Sequence, residues 1–271
     1  MIARRLVLAA SLALAAAGPA LALDPGTASG HFSHEGVKLA FSHAVALSQD
    51  NTEGLLDDGP QVRLVLSDVE VPPAALYGVV FPPIIGMARN DAVHGVMIEF
   101  SPKDPKAMHV TVLSKPQELG ASLTNVSMSN SQGVFKNLVV NATRVVGDYD
   151  GGSDDDFKFS FSAPVFTDPL QADLRGPAAQ GSEQVRVLVA RAEAIGRGDL
   201  PAALALSSQG SGLHGIPPEM VKQVAKEAPA MIRQLKAIKR VVVRQATAVA
   251  LMGDGSWSNL VLENGAWKVA D

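Results

Sequence analysis

His31, Phe32, Ser33, His34 and Glu35 form the densest run of metal-ligating side chains in the sequence. Two imidazoles and a carboxylate are the donor set a zinc-like ion takes. Histidines three apart share a face on a helix, but a strand sends positions i and i+3 to opposite faces. The flanking alternation of Val37, Leu39 and Phe41 is that of a strand. A metal pair would need the Glu35-Gly36 turn to bring His34 back toward His43 across a hairpin; a polar hairpin edge and no metal site is expected instead. Glu99 and His109 are a second pair. A loop over 101–107 pairs Phe100 with Met108 and sets Glu99 opposite His109 on a polar face. Such a cross-strand ion pair contributes about 0.2–1 kcal/mol. Acid–base catalysis needs a third group and a pocket, which this pattern does not supply. Asp148, Asp150 and Asp154 to Asp156 surround Gly151-Gly152. Carboxylates in a flexible turn suit calcium, but the EF-hand spacing and its closing Glu are absent, so a solvated hairpin loop is expected. No catalytic residue, metal or cofactor is assigned. The candidate ligand-binding residues are Trp257, Trp267 and His214.

The elements that must position these groups divide the chain in two. Before about residue 173, apolar residues alternate with a period of two. Examples are Val62 to Leu66, Val96/Ile98/Phe100, Met108/Val110/Val112 and Phe157/Phe159/Phe161. Turn chemistry separates them at 102–105, at Ser131-Gln132-Gly133 and at Gly151-Gly152. About six to eight strands that bury one side each, with no helix among them, predict an antiparallel β-sandwich, or else an open barrel, over 23–172. A linker is expected over 173–181, punctuated by Gly176-Pro177 and Gly181. Past it the period changes. Val185, Leu188, Val189, Ala192 and Ile195 share one helical face, with Ser182 as N-cap. Asp199 caps a short second helix over 200–206. A third runs over 217–238, with Pro229 expected to kink or split it. Strands follow at 240–245, 247–251, 258–262 and 266–269, joined by hairpin turns at Gly253-Asp254-Gly255 and Asn264-Gly265.

The chain has 271 residues, 47% apolar and 18% charged, with a net charge of −4 and no cysteine. This composition excludes a disordered tail, a disulfide scaffold and thiol chemistry. The absence of a strong basic balance argues against nucleic acid as partner. Arg4-Arg5, an apolar run from Leu6 to Ala17 and Ala20-Leu21-Ala22 form a cleavable secretory signal over 1–22. A periplasmic or secreted bacterial protein is expected, with no stable membrane span after cleavage. Residues 24–181 carry a net charge of −9 and residues 182–271 a net of +3. The stretch from Lys222 to Arg244 holds seven basic residues and one acidic. A solvated helix face is its first reading, and an anionic partner its second. No Gly-x-Ser-x-Gly elbow, phosphate loop or dinucleotide fingerprint occurs.

Three stretches carry a resemblance: Ala192 to Leu206 (AEAIGRGDLPAALAL), Ile238 to Val249 (IKRVVVRQATAV) and Leu262 to Asp271 (LENGAWKVAD). Helix, Gly-Asp, helix, then a curled antiparallel sheet closing on a Trp-Lys pair resembles the nuclear transport factor 2-like superfamily. Its fold is the cystatin-like α+β roll, implied here for 182–271. The first part resembles exported bacterial β-sandwich domains of no assigned activity. The superfamily's enzymes use Asp, Tyr or His in a cone-shaped pocket. The roll segment has no Tyr and a single His, His214, so no catalytic residue carries over. The expected role is non-catalytic binding or accessory work in the bacterial envelope, toward an envelope protein or a small apolar ligand. One alternative is a pocket enzyme of the isomerase or dehydratase type, drawing on Asp199, Glu193 or His214. The other is a protein-partner or immunity-type module.

Overall fold

The described residues before Asp168 include strands β1 (Thr27–His34), β2 (Val37–Ala40), β3 (His43–Asp50), β4 (Pro60–Ser67), β5 (Gly95–Ser101), β6 (Asp104–Leu113), β7 (Asn125–Met128), β8 (Val134–Val140), β9 (Arg144–Asp150) and β10 (Phe157–Thr167), of which β2, β4, β5, β6 and β10 hold the period-two segments. The structure, a computed structural model, describes residues 25–34, 37–50, 60–78, 82–115, 125–128, 134–151 and 157–270. The segment 1–22, the turns at Glu35-Gly36 and Ser131-Gln132-Gly133, and Asp154 to Asp156 lie outside the described residues. The ten strands form one sheet in the order β2-β1-β10-β3-β4-β5-β6-β7, with β9 also on β10 and β8 on β9. β10 is the pivot. Residues 157–164 pair antiparallel with β1 and β9, whereas Val165 to Thr167 run parallel with β3. In β1, Gly30 sits at φ 126°, and a Cβ there would lie 2.1 Å from the Lys158 carbonyl oxygen. Only glycine fits both that backbone and that approach.

One core draws on both wings of this sheet. Phe32, Leu39, Tyr149, Phe157, Phe159 and Phe161 meet Leu64, Leu66, Ile98, Phe100 and Val110. Phe32 and Phe157 meet edge to face at 4.8 Å, and Tyr149 stacks on Phe159 at 5.2 Å. Burial pushes the Tyr149 hydroxyl up to about 12. A second core lies on the other face of β3 to β6. Val45, Leu47, Val65, Met97 and Leu113 are covered there by Val71, Leu76, Ile84, Ile85 and Ala88. β4 is therefore buried on both faces, which explains its unbroken Val62-Arg63-Leu64-Val65-Leu66 run. The cover is a 3-10 turn over Pro73–Leu76 and α1 (Pro83–Arg89). The expectation of no helix before residue 173 is thus corrected. α1 is short and buries Pro83, Ile84, Ile85, Gly86 and Ala88, so it shows no polar face and no amphipathic period.

The second sheet is antiparallel, in the order β11 (Leu170–Arg175), β12 (Arg240–Arg244), β13 (Thr247–Leu251), β14 (Trp257–Glu263) and β15 (Ala266–Val269). The change of sheet falls at Asp168-Pro169. The expected linker over 173–181 instead holds the end of β11 and the short α2 (Pro177–Gln180). Strand β11 is read poorly from sequence because only Leu170, Ala172 and Leu174 alternate, and Asp173 is held by Arg240 at 2.8 Å.

Helix α3 (Glu183–Gly196) is N-capped by Ser182, whose hydroxyl accepts from the Val185 N–H at 3.3 Å. Helix α4 (Leu200–Ala205) is capped by Asp199. Helix α5 (Pro218–Lys236) runs as one element through Pro229, so of the expected kink or split the split does not occur. Pro229 is exposed, so the helical carbonyl it leaves without an N–H partner lies on the solvent side. Leu188, Ala192, Leu235 and Ile238 pack on Val241, Ala248, Ala250, Leu260 and Val269 of the sheet. The molecule is a mixed α+β protein, mostly strand, in two sheets.

Candidate functional site

Pleating puts Thr27, Ser29, Val146, Asp148, Ser160 and Ser162 on the face of β1, β10 and β9 opposite the aromatic core. Two rows result. Ser29, Ser160 and Asp148 stand directly opposite one another across the three strands, and so do Thr27, Ser162 and Val146. A groove of about 380 Å³ opens over these rows, bounded on the β8 side by Asn137. Asn137 owes its place to a bulge: the β8–β9 register shifts between Lys136 and Val139, and Asn137 takes φ 52°. A bulge re-aims a side chain, and asparagine tolerates this left-handed backbone better than most residues.

The groove's electrostatics centre on Asp148. Hydrogen bonds from Ser160 and from Asn137 hold its carboxyl below the usual carboxylate range, with Lys136 adding to the effect. The Asn137 amide donates to Asp148 Oδ2 at 3.0 Å. At neutral pH Asp148 is a fixed anion that accepts hydrogen bonds and has no proton to give. Arg144 Nη1 donates to Ser162 Oγ at 2.8 Å, and Lys136 Nζ pairs with Asp150 Oδ2 at 2.7 Å. Such an arrangement can recognise a ligand by hydrogen bonds.

The sequence-predicted residues fall elsewhere. Trp267 packs on the helix-covered face of the second sheet, beside Leu262. Trp257, three residues from the core residue Leu260, lies on the opposite face, across from Leu251. The two tryptophans therefore line no common pocket. His214 is exposed on a 3-10 turn over Gly212–Gly215, its Nε2 2.9 Å from the Ser208 carbonyl. The three are not brought together. Asp199 serves as a helix cap and Glu193 is exposed. His34 pairs across the β1–β2 ladder with Val37, whereas His43 opens β3 opposite Ser67, so the two do not meet across a hairpin. Among the described residues, no group of three His, Cys, Asp or Glu side chains is arranged to hold a metal ion.

Glu99 does stand opposite His109, but the face is not the polar surface expected. It is the face covered by the 3-10 turn and α1, and Glu99 is taken by Arg63. Arg63, only 2% exposed, donates from Nε and Nη2 to Glu99 Oε1 at 2.9 and 2.7 Å. Its Nη1 reaches the Leu76 carbonyl at 2.6 Å and also the Gly78 carbonyl. The side chain fastens the covering segment to the sheet.

Two further polar clusters escaped the sequence reading. Asp168, between the sheets, is 5% exposed. Its Oδ1 accepts from the Ala246 N–H at 2.6 Å, its Oδ2 from the Thr247 hydroxyl, and its carbonyl from Arg244 at 3.1 Å. Burial raises its pKa despite those bonds. His94 lies between two carboxylates, Nδ1 3.0 Å from Asp68 and Nε2 3.0 Å from Asp91, which also pairs with Lys115. Burial lowers the imidazole pKa, the two hydrogen bonds raise it, and the net direction is up. The basic stretch also divides. Lys222, Lys226, Arg233 and Lys236 are exposed on α5, whereas Arg240 and Arg244 of β12 bond Asp173 of β11 and the Asp168 carbonyl.

No protein-family model matches the chain, and no curated protein or solved structure matches it either.

Proposed function

We propose that this is an exported bacterial envelope protein with a non-catalytic binding role, and that its ligand sits in the Asp148 groove. In this reading residues 1–22 are a cleaved signal, the first sheet closes as an antiparallel β-sandwich, and the helices with the second sheet form a cystatin-like α+β roll. The carrying observation is the state of Asp148. It is held ionised at the middle of an open groove by two hydrogen-bond donors, a poor setting for proton transfer and a good one for holding a ligand donor. The Arg144–Ser162 contact supports the same reading, since it fixes a hydroxyl at the groove's other row.

Two measurements test the proposal. N-terminal sequencing of protein recovered from a periplasmic fraction should begin after Ala22. A chain that keeps Met1 in the cytoplasm removes the export reading. A thermal-shift screen of envelope extracts and small molecules should give at least one ligand that raises Tm, because selective binding to the native state must do so. Asp148→Ala should abolish that rise. An unchanged rise in the variant places binding away from the groove.

A further inference from the structure

The groove's chemistry narrows the class of ligand, granted that the groove is the binding site. We propose that it takes a neutral polyhydroxylated chain, a glycan laid across β1, β10, β9 and β8. The polar groups lining it are hydroxyls of Thr27, Ser29, Ser160 and Ser162, the Asp148 carboxylate and the Asn137 amide. Hydroxyls donate and accept, and an ionised carboxylate only accepts. A ligand that satisfies all of them must itself both donate and accept at many closely spaced points, as vicinal hydroxyls do.

The spacing agrees. Ser29, Ser160 and Asp148 follow one another at the inter-strand distance of about 4.8 Å, and the Thr27–Ser162 row lies two residues further along each strand, about 7 Å away. This is a ladder of polar points at sugar-ring dimensions. Asn137 enters from the bulge with one amide hydrogen committed to Asp148, leaving a carbonyl oxygen and a second N–H.

Charge argues against an ionic ligand. Arg144, Lys136 and Lys158 stand on this face with Asp148 and Asp150, and Lys136 pairs with Asp150, so the charges around the groove are of mixed sign. A phosphate or carboxylate meets Asp148, and an ammonium group meets the cations. Neither gains much net attraction at the surface dielectric. A neutral ligand loses nothing by this balance and still donates charge-assisted hydrogen bonds to Asp148. An apolar strip runs from the groove's edge onto β8. Val146 is 38% exposed and Val139, directly opposite it on β8, is 55% exposed. The C–H face of a sugar ring covers such a strip while its hydroxyls turn toward Asp148. A volume of about 380 Å³ falls in the range of small-ligand sites, about 300–1,000 Å³.

The test is a two-dimensional ¹H–¹⁵N titration of the full mature chain with four probes: maltotetraose, chitotetraose, spermidine and inorganic phosphate. At least one tetrasaccharide should shift the amides of Asn137, Asp148, Ser160 and Ser162, and Asp148→Ala should weaken that binding at least tenfold. Asp148 is partly exposed, so the variant's unshifted remaining spectrum certifies its fold. Sugar binding that Asp148→Ala leaves unchanged overturns the proposal. If spermidine or phosphate shifts the groove amides and neither sugar does, the ligand class is wrong while the groove stands as a binding site. If none of the four moves them, both the class and the groove reading fall.

Discussion

Asp148 and Asp168 both accept hydrogen bonds at the carboxylate, yet their pKa values move in opposite directions. Asp148 lies in an open groove, where Ser160 and Asn137 stabilise its charge and water supplies the rest. Asp168 lies between the two sheets at 5% exposure. There the loss of hydration outweighs the bonds from Thr247 and Ala246. The number of donors does not decide the state of a carboxylate; the solvent it gives up does. The groove keeps a charge available for a ligand. The junction uses a charge to fix two pieces of chain and bears its desolvation.

Arg63 is the extreme of the junction type, and breaking it has the largest expected effect. Arg63→Ala leaves Glu99 and two carbonyls without their donor, and should destabilise the protein by about 3–5 kcal/mol in urea unfolding. A loss below 1 kcal/mol would mean that water replaces the guanidinium and that the site is not closed. Asp168→Ala comes next, at about 1–3 kcal/mol, because the buried Ala246 N–H loses its acceptor. Asp168→Asn, which keeps an acceptor and drops the charge, should cost less than the alanine change.

The same comparison predicts opposite pH dependences. Asp168 has a folded pKa above its unfolded value, so the native state binds more protons between the two. Its contribution to stability grows as pH falls through the raised pKa toward the ordinary carboxylate value. Asp148 has a lowered folded pKa. Its contribution is present above the ordinary value and is lost as pH falls through the lowered one. Urea midpoints of Asp168→Asn and of the parent, compared at pH 7 and pH 4, should therefore converge differently from those of Asp148→Asn.

His94 should give a smaller effect. Its folded pKa is raised, so its bonds to Asp68 and Asp91 stabilise fully below the ordinary histidine pKa, and that contribution is lost as pH rises through the folded value. His94→Gln should remove this fall between pH 6 and 8; an identical slope in the variant would assign it elsewhere. Smallest of all, Asp148→Ala should change stability at pH 7 by no more than about 0.5 kcal/mol, as befits a solvated position. A loss of 2 kcal/mol would erase the distinction between groove and junction.

Periodicity carried most of the framework. The alternation of Phe157, Phe159 and Phe161 put three rings on one face, and that face is the core. Ser182 and Asp199 announced two helix starts, and both are caps in the structure. Asn264-Gly265 gave its hairpin because both residues take positive φ, as a two-residue turn requires. Elements without a local period stayed hidden. α1 is apolar on every side, and β11 is too short and too charged to alternate visibly.

The groove was not legible. In the sequence Asp148 reads only as one of five aspartates in a solvated hairpin loop, and the groove's other residues come from 27–29, 137 and 160–162, which only strand order brings together. A serine between two phenylalanines reads as solvent-facing filler until the neighbouring strands are known. Arg63 was invisible for the opposite reason. An arginine within an apolar run looks like the outward half of a strand, and only the cover from the 3-10 turn and α1 makes it buried. Trp257 and Trp267 misled because an aromatic side chain announces burial but not the side of the sheet.

The pivot strand has a consequence for how the chain is made. β10 closes against β1 and β3, whose residues leave the ribosome more than a hundred positions earlier. Until Thr167 has emerged, the β1–β2 pair and the β3–β6 strands have no strand to join them, and Phe32 and Phe41 lack the rings of Phe157 and Phe159. Such long-range pairing folds slowly. The two wings of the first sheet are joined only when this eleven-residue strand arrives.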